Sequence, residues 1–312
     1  MKRIQDNADF FRRLIVPPGK RISLARDYDP GYHADFLDES EAEAVLREGR
    51  LRLAELQDEL YAQDAYALLV VFQALDAAGK DSVIKHVMSG VNPQGCQVYS
   101  FKAPSREELD HDYLWRSFKA LPERGRIGIF NRSHYEEVLV VRVHPEILAG
   151  ERLPPVAKDA GIWKRRFEEI NHFERYLVAN GIVVIKFFLN VSKEEQRQRF
   201  LKRIAQPEKN WKFTTADVKE RAFWDDYQKA YEDCFNHTST PWAPWHVIPA
   251  DRKWFTHAAV MAVILKYLDG LKLAYPSISR EQRRELLAAK AELEGEDGAA
   301  AGRRPGRKGG KA

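Results

Sequence analysis

The chain has 312 residues, of which 44% are hydrophobic and 31% charged, and its formal net charge is +4. That length and apolar content suit one large α/β domain or two small ones with a sizeable core, and exclude a chain too polar to fold. No window approaches the roughly 18 consecutive apolar residues of a membrane span, and the start, MKRIQDNADFFRRL, lacks the apolar core of a signal peptide. A cytoplasmic protein with no membrane partner is therefore expected.

Residues 1 to about 35 are punctuated by Pro17-Pro18-Gly19 and Asp29-Pro30-Gly31, which suits an extended arm on a domain surface. From Glu39 to Ala62, apolar residues recur at near-helical spacing among charges and predict an amphipathic helix. Ala67 to Phe72 is a continuous apolar run that reads as a buried parallel strand, poured straight into Gln73-Ala74-Leu75-Asp76-Ala77-Ala78-Gly79-Lys80. Val83, Ile84, Val87 and Met88 then give a helix an apolar face, and that helix should stop near Gly90. Four more apolar segments follow at helix-sized intervals: 96–101, 126–130, 182–189 and 245–249. Helical stretches lie between them, including 109–121 and 162–180. The alternation predicts a doubly wound parallel sheet of about five strands, with a ligand site at their carboxyl ends. Ser192 to Thr240 is long, charged and aromatic-rich, and predicts a helical hairpin standing over the first loop as a lid. Phe255 to Leu271 reads as a further amphipathic helix. From Arg280 onward nine Lys and Arg stand against six Asp and Glu, in a low-complexity tail expected to end in disorder. Cys96 and Cys234 lack metal-ligand spacing and read as buried thiols.

The chemistry gathers at two strand ends. In the first loop, small residues Ala77, Ala78 and Gly79 let backbone amides curl round a phosphate, the next helix presents its positive end, and Lys80 adds a mobile cation. Against the Walker A pattern G-x-x-x-x-G-K-[ST], Ala74 stands for the first glycine and Asp81 for the Ser or Thr, with Ser82 one place later. A plain strand-to-helix turn is the alternative for these residues. Lys85 continues the loop helix, either toward the phosphates or on the surface. At the second strand end comes Asn131-Arg132-Ser133-His134-Tyr135-Glu136-Glu137. Arg132 suits a two-pronged grip on phosphate, and Asn131 occupies the place of a metal-holding carboxylate with only a neutral oxygen. Asp76, Glu136 or Glu137 could supply the missing charge.

With both segments in view, the chain resembles the polyphosphate kinase type 2 family, nucleotide kinases that use inorganic polyphosphate as phosphoryl donor. The likeness is carried by FQALDAAGKDSVIKHVMSGVNPQG at 72–95, YSFKAPSREELDHDYLWR at 99–116, GRIGIFNRSHYEEVLVVRVHP at 125–145, KRIAQPEKNWKF and FWDDYQKAYEDC, and runs from about residue 10 to 275. The resemblance implies a thymidylate-kinase-like core with a lid of two helices. Together with the punctuation and composition read above, the expected organisation is one domain over residues 1–278 with an arm (1–38) and a lid (about 192–240), followed by a helical and then disordered tail (279–312). It further implies magnesium dependence, with manganese as an alternative, and a homo-oligomer, dimer or tetramer. Carried over, Asp76 and Lys80 belong to the catalytic loop, Arg132 to the second motif, and Arg199, Lys202 and Arg203 to a lid that contacts the phosphate chain. Asn131 and the following Ser133 to Glu137 resemble the subgroup (class III) accepting both nucleoside mono- and diphosphates, and Asp76 with Asn131 is the expected metal pair. Partners are then polyphosphate and a nucleotide, with no nucleic acid. The cations between Trp163 and Lys212, among them Arg197, Arg199, Lys202 and Arg203, suit such a base-free polyanion. An ATP-dependent nucleotide kinase and a polyanion- or RNA-binding module remain the rival readings.

Overall fold

The apolar run after Asp64 becomes the central strand of a sheet. Among residues 2–34 and 37–301, which the computed structural model describes, β1 (Ala67–Gln73) buries every side chain, as a strand covered on both faces must. Strands β2 (Cys96–Ser100), β3 (Ile127–Asn131), β4 (Ile182–Asn190) and β5 (Trp245–Pro249) join it, all parallel, in the order β2-β3-β1-β4-β5. This is the doubly wound sheet that the strand and helix spacing predicted.

Helices cover both faces. On one lie α1 (Glu39–Gln63) and α2 (Lys80–Val87); on the other lies α3 (Ile162–Ala179). Further on come α4 (Lys193–Ala205), α5 (Trp224–Thr238) and α6 (Lys253–Gly270). Helix α1 begins with a capping box, in which the Asp38 carboxylate accepts from Glu41 N and the Glu41 carboxylate accepts from Asp38 N, satisfying two amides that a helix start leaves unpaired. Its Leu53, Leu56 and Leu60 join α6 in one core. Helix α6 differs from the amphipathic expectation: Phe255 through Leu265 are all buried, because α1 covers the side turned away from the sheet. Each large apolar side chain so buried contributes about 1.5–3 kcal/mol.

Three other regions depart from expectation. The helix foreseen over 109–121 is two short pieces, Arg106–Leu109 and Trp115–Lys119, interrupted where the Asp112 side chain accepts from Leu114 N and so offers the backbone a turn in place of a helix. The arm carries helical turns at Ala8–Leu14 and Leu24–Asp27, and between them Val16 N donates to Trp245 O at 2.8 Å beside an Ile15–His246 bridge, along the β5 edge. Within the anticipated lid hairpin, α5 buries Tyr227, Ala230, Tyr231, Cys234 and Phe235 in the core beneath β4 and β5. That face belongs to the body, which leaves α4 and the short helical segments up to Phe223 as the projecting part.

Residues through Ala274 form one compact unit; from Tyr275 a second begins, whose described part contains helix α7 (Arg280–Ala301). The disorder expected at the end of the tail concerns residues 302–312, outside the described residues. No described helix is long and apolar enough to cross a membrane.

Candidate active site

β1 and β3 are neighbours, with Phe72 opposite Asn131, yet the chain leaving β1 enters α2 on one face and the chain leaving β3 leads to α3 on the other. Adjacent strands whose connections diverge open a crevice at their carboxyl ends, where open α/β sheets hold ligands. Arg132 N donates to Phe72 O at 3.0 Å and keeps the two chains together just beyond the sheet.

The first loop is built of main chain. Gly79 closes it at φ 112°, a left-handed conformation natural to glycine. Ala77 is also left-handed, at φ 62°, which costs a residue with a Cβ on the order of 1–2 kcal/mol and has to be held. Every carbonyl from Ala74 to Gly79 has a donor. Ala74 O accepts from Lys80 Nζ at 2.9 Å, Leu75 O from Ala78 N at 3.3 Å, and Asp76 O from Gln196 Nε2 at 2.9 Å. Ala77 O and Ala78 O accept from Arg199 Nη1 at 3.0 and 2.7 Å, and Gly79 O from Val83 N at 3.0 Å. The amides of Asp76, Ala77 and Gly79, by contrast, donate to no protein acceptor among the described residues. Engaged carbonyls and unengaged amides at a helix start have the polarity of an anion nest. Burial pushes Lys80 down to about 8, and Arg132 beside it adds repulsion, while Asp76, Glu136 and Asp81 act in the opposite sense; an added polyanion would favour the charged form.

The second motif works through side chains. Arg132, at φ 63°, donates from Nη2 to Asp76 Oδ1 at 3.0 Å and from Nη1 to Glu136 Oε2 at 3.3 Å. Burial works against its charge, but Glu136 and Asp76 outweigh that and raise its pKa above the ordinary value. Asn131 Nδ2 donates to Asp81 Oδ1 at 2.8 Å, and Lys212 Nζ lies 4.0 Å from Asp81 Oδ2. Behind these groups runs a buried polar network. Gln73 Nε2 and Tyr135 N both donate to Ser133 Oγ. Tyr135 OH donates to Glu174 Oε1 at 2.7 Å, and Lys186 Nζ donates to Glu174 Oε2 at 2.6 Å, Tyr135 OH at 2.8 Å and Thr238 O at 2.8 Å.

Of the residues singled out from sequence, Asp76, Ala77, Ala78, Gly79, Lys80, Asp81, Asn131, Arg132 and Glu136 are brought together here. Others are not. Ser82 Oγ sits 3.2 Å from His257 Nε2 and 3.5 Å from His86 Nδ1, and so pairs with the histidines of the body instead of the loop. Ser133 is buried in the network behind the motif. Glu137 lies mostly buried against Arg166 at 3.0 Å, where Glu151 shares the same guanidinium; burial pushes it up to about 8. Lys85 and Lys202 are exposed, and Arg203 Nη1 donates to Lys212 O at 3.3 Å. Arg199 reaches the loop, but through carbonyls.

Sequence reading missed Gln196, the Glu174–Lys186 pair and Lys253. Burial holds Lys253 below its ordinary range, and Arg199, Lys202 and Lys209 add repulsion, which marks a cluster of cations flanking the loop. A lysine inside the apolar run IVVIKFFLN was the visible signal for Lys186; Gln196 and Lys253 had none.

Among the described residues no group of three or more His, Cys, Asp or Glu is placed to hold a metal. Asp76, Asp81 and the Asn131 amide oxygen are the donors at hand. That set fits a magnesium ion, which characteristically takes one or two carboxylates and completes its shell with substrate phosphates and water. At the end of β2 a cavity of about 500 Å³ is lined by Tyr99, Phe101, Lys102, Glu108, Trp115 and Arg116 among others. Its volume is in the range of small-molecule sites, and two of its cations face carboxylates of the same wall, Arg116 with Glu108 at 3.5 Å and Lys119 with Glu107 at 3.9 Å.

A nest of unengaged amides at the start of α2, answered by a guanidinium from the next strand, places the chain among the phosphate-loop α/β proteins. Comparison with known proteins gives the family. The family model described as Polyphosphate kinase 2 (PPK2) matches residues 36–275, and the chain belongs to that family. The ADP-polyphosphate phosphotransferase of Rhodopseudomonas palustris is 49% identical over 286 residues, covering 90% of this chain and 98% of the relative. The AMP/ADP-polyphosphate phosphotransferase of Meiothermus ruber is 44% identical over 267 residues, covering 85% and 95%. The crystal structure of polyphosphate kinase 2 from Arthrobacter aurescens TC1 matches with a TM-score of 0.80 at 40% identity, covering 88% of this chain and 95% of that one.

Proposed function

We propose that this enzyme moves the terminal phosphoryl group of inorganic polyphosphate onto AMP or ADP, reversibly, making ADP or ATP. Relatives named as ADP- and AMP/ADP-polyphosphate phosphotransferases support that pairing of substrates. The observation that carries it is the convergence of loop amides, Lys80 and Arg132 at one crevice, a set that binds phosphate and little else. In the transfer, an oxygen of the acceptor's terminal phosphate forms a bond to the terminal phosphorus of the chain. The bond from that phosphorus to the bridging oxygen breaks, and the shortened polyphosphate leaves with the electron pair. Catalysis is by positioning and charge neutralisation, with no phosphoenzyme. The loop amides and Lys80 hold the transferring group, Arg132 neutralises the charge that develops on it, and Asp76 keeps Arg132 aimed. Asp76, Asp81 and Asn131 would hold magnesium, which when bound supplies further neutralisation of phosphate oxygens. We further propose that the enzyme acts in the cytoplasm as a homo-oligomer and takes no nucleic acid. Incubating the purified protein with polyphosphate and magnesium against AMP, ADP and GDP in turn, with separation of the products, tests the reading. A protein that phosphorylates these nucleotides only when ATP replaces polyphosphate would overturn it.

A further inference from the structure

We infer that Arg199 and Gln196 are positioning residues for the phosphate loop, and that α4 grips the backbone of that loop instead of the polyphosphate chain. The inference rests on the function proposed above and concerns how its loop is held in shape. A guanidinium has five N–H donors. In Arg199, Nε donates to Glu195 Oε1 at 2.7 Å, Nη1 to Ala77 O and Ala78 O, and Nη2 to Ala250 O at 2.6 Å and Asp251 O at 3.2 Å. The residue is only 8% exposed. To touch a phosphate it would have to release buried carbonyls that have no other donor among the described residues, and an unsatisfied buried carbonyl is costly.

Gln196 lies three residues earlier, on the same face of α4, and does the same for the preceding carbonyl, Asp76 O. Its own oxygen accepts from Arg221 Nη1 at 2.7 Å, and that nitrogen also donates to Lys193 O. One helix face therefore holds three consecutive loop carbonyls, Asp76, Ala77 and Ala78, on either side of the left-handed turn at Ala77, and ties them to the end of β5. Fixing these carbonyls fixes the peptide planes between them. The unengaged amides are then oriented before a phosphate arrives, which is the condition under which such donors are effective.

The test compares Arg199→Lys, Arg199→Ala and Gln196→Ala in the full chain, with polyphosphate, magnesium and ADP. Lysine keeps the charge but loses the fork. If the fork sets loop geometry, Arg199→Lys lowers kcat on the order of 100-fold, and the neutral Gln196→Ala lowers it about 10-fold, both with KM for polyphosphate changed less than about threefold. Amide hydrogen exchange of Ala78 and Val83, whose amides donate to Leu75 O and Gly79 O, should quicken in both variants without any substrate, a readout independent of which donor the enzyme uses. Should Arg199→Ala fail to fold, Arg199→Lys and Gln196→Ala still decide. Near-normal kcat in Arg199→Lys would overturn the inference. So would an Arg199→Ala enzyme with unchanged kcat, KM for polyphosphate raised about tenfold or more, and a log KM against log salt slope smaller by about one, the signature of a lost phosphate contact. A wild type inactive with polyphosphate would overturn the function, while the exchange result would still decide the role of Arg199.

Discussion

The two loops that face each other across the crevice are built on opposite plans. Each turns on one left-handed residue other than glycine, Ala77 at φ 62° and Arg132 at φ 63°. In the first, the working groups are main-chain amides, the side chains are small, and the shape is held from outside by donors from α4. In the second, the working group is a side chain, and the backbone is held from behind by Ser133, Tyr135, Glu174 and Lys186. Two local strains of similar kind are thus stabilised by different means. The first loop should respond to changes in its clamp, and the second to changes in its foundation.

The foundation gives the largest expected effect. Lys186→Ala leaves the Glu174 carboxylate buried without its cation and should cost about 3–5 kcal/mol by urea unfolding, since breaking one half of a buried pair costs that much. An unchanged midpoint would remove the network from the account. Next, Lys80→Ala and Arg132→Ala should each reduce the polyphosphate-dependent rate on the order of 100-fold, as losing one preorganised donor does; a near-normal rate in either would mean that the crevice is not where transfer occurs. Asn131→Asp sharpens the contrast further. It would set a second carboxylate against Asp81 where an amide now donates, so melting should fall in EDTA and recover with magnesium, and a variant indifferent to magnesium would show that the ion binds elsewhere.

A smaller effect separates Glu137 from the site. Burial raises its pKa from 4.5 to about 8, so between those values the folded chain holds more protons than the unfolded one, and its contribution to stability declines as pH rises through that window. Melting curves of wild type and Glu137→Gln should converge near pH 4.5, and the variant should be the more stable at pH 8. The smallest effect is at the tail: truncation after Leu293, within the second unit, should leave the transfer rate as it was.

The strands were legible in sequence because each is an apolar run bounded by turn residues. The phosphate loop was legible because small residues before a Gly-Lys leave few other uses. The role of Arg199 was not, since its partners are main-chain carbonyls about 50 and 120 positions away, at Ala250 and Ala78, and carbonyls carry no sequence signature. The reach of the lid was misjudged for a different reason. Tyr227, Ala230, Tyr231, Cys234 and Phe235 recur at helical spacing and announce a buried face, but they follow a charged stretch, and the two together read as one hairpin standing over the first loop. Lys186 shows a further limit. Its position in an apolar strand signals a buried charge, but nothing in the neighbouring sequence names Glu174 as the partner that makes burial tolerable.

The arm has a consequence for solubility. An outermost strand offers a row of unpaired backbone groups to any chain that meets it. Ile15 and Val16 lie along β5 and occupy part of that row, so the chain carries its own blocker at one end of the sheet. Proteins shortened past Val16 would expose the β5 row at the high local concentrations of synthesis. They should be recovered as strand-added aggregates, even with every residue of the crevice intact.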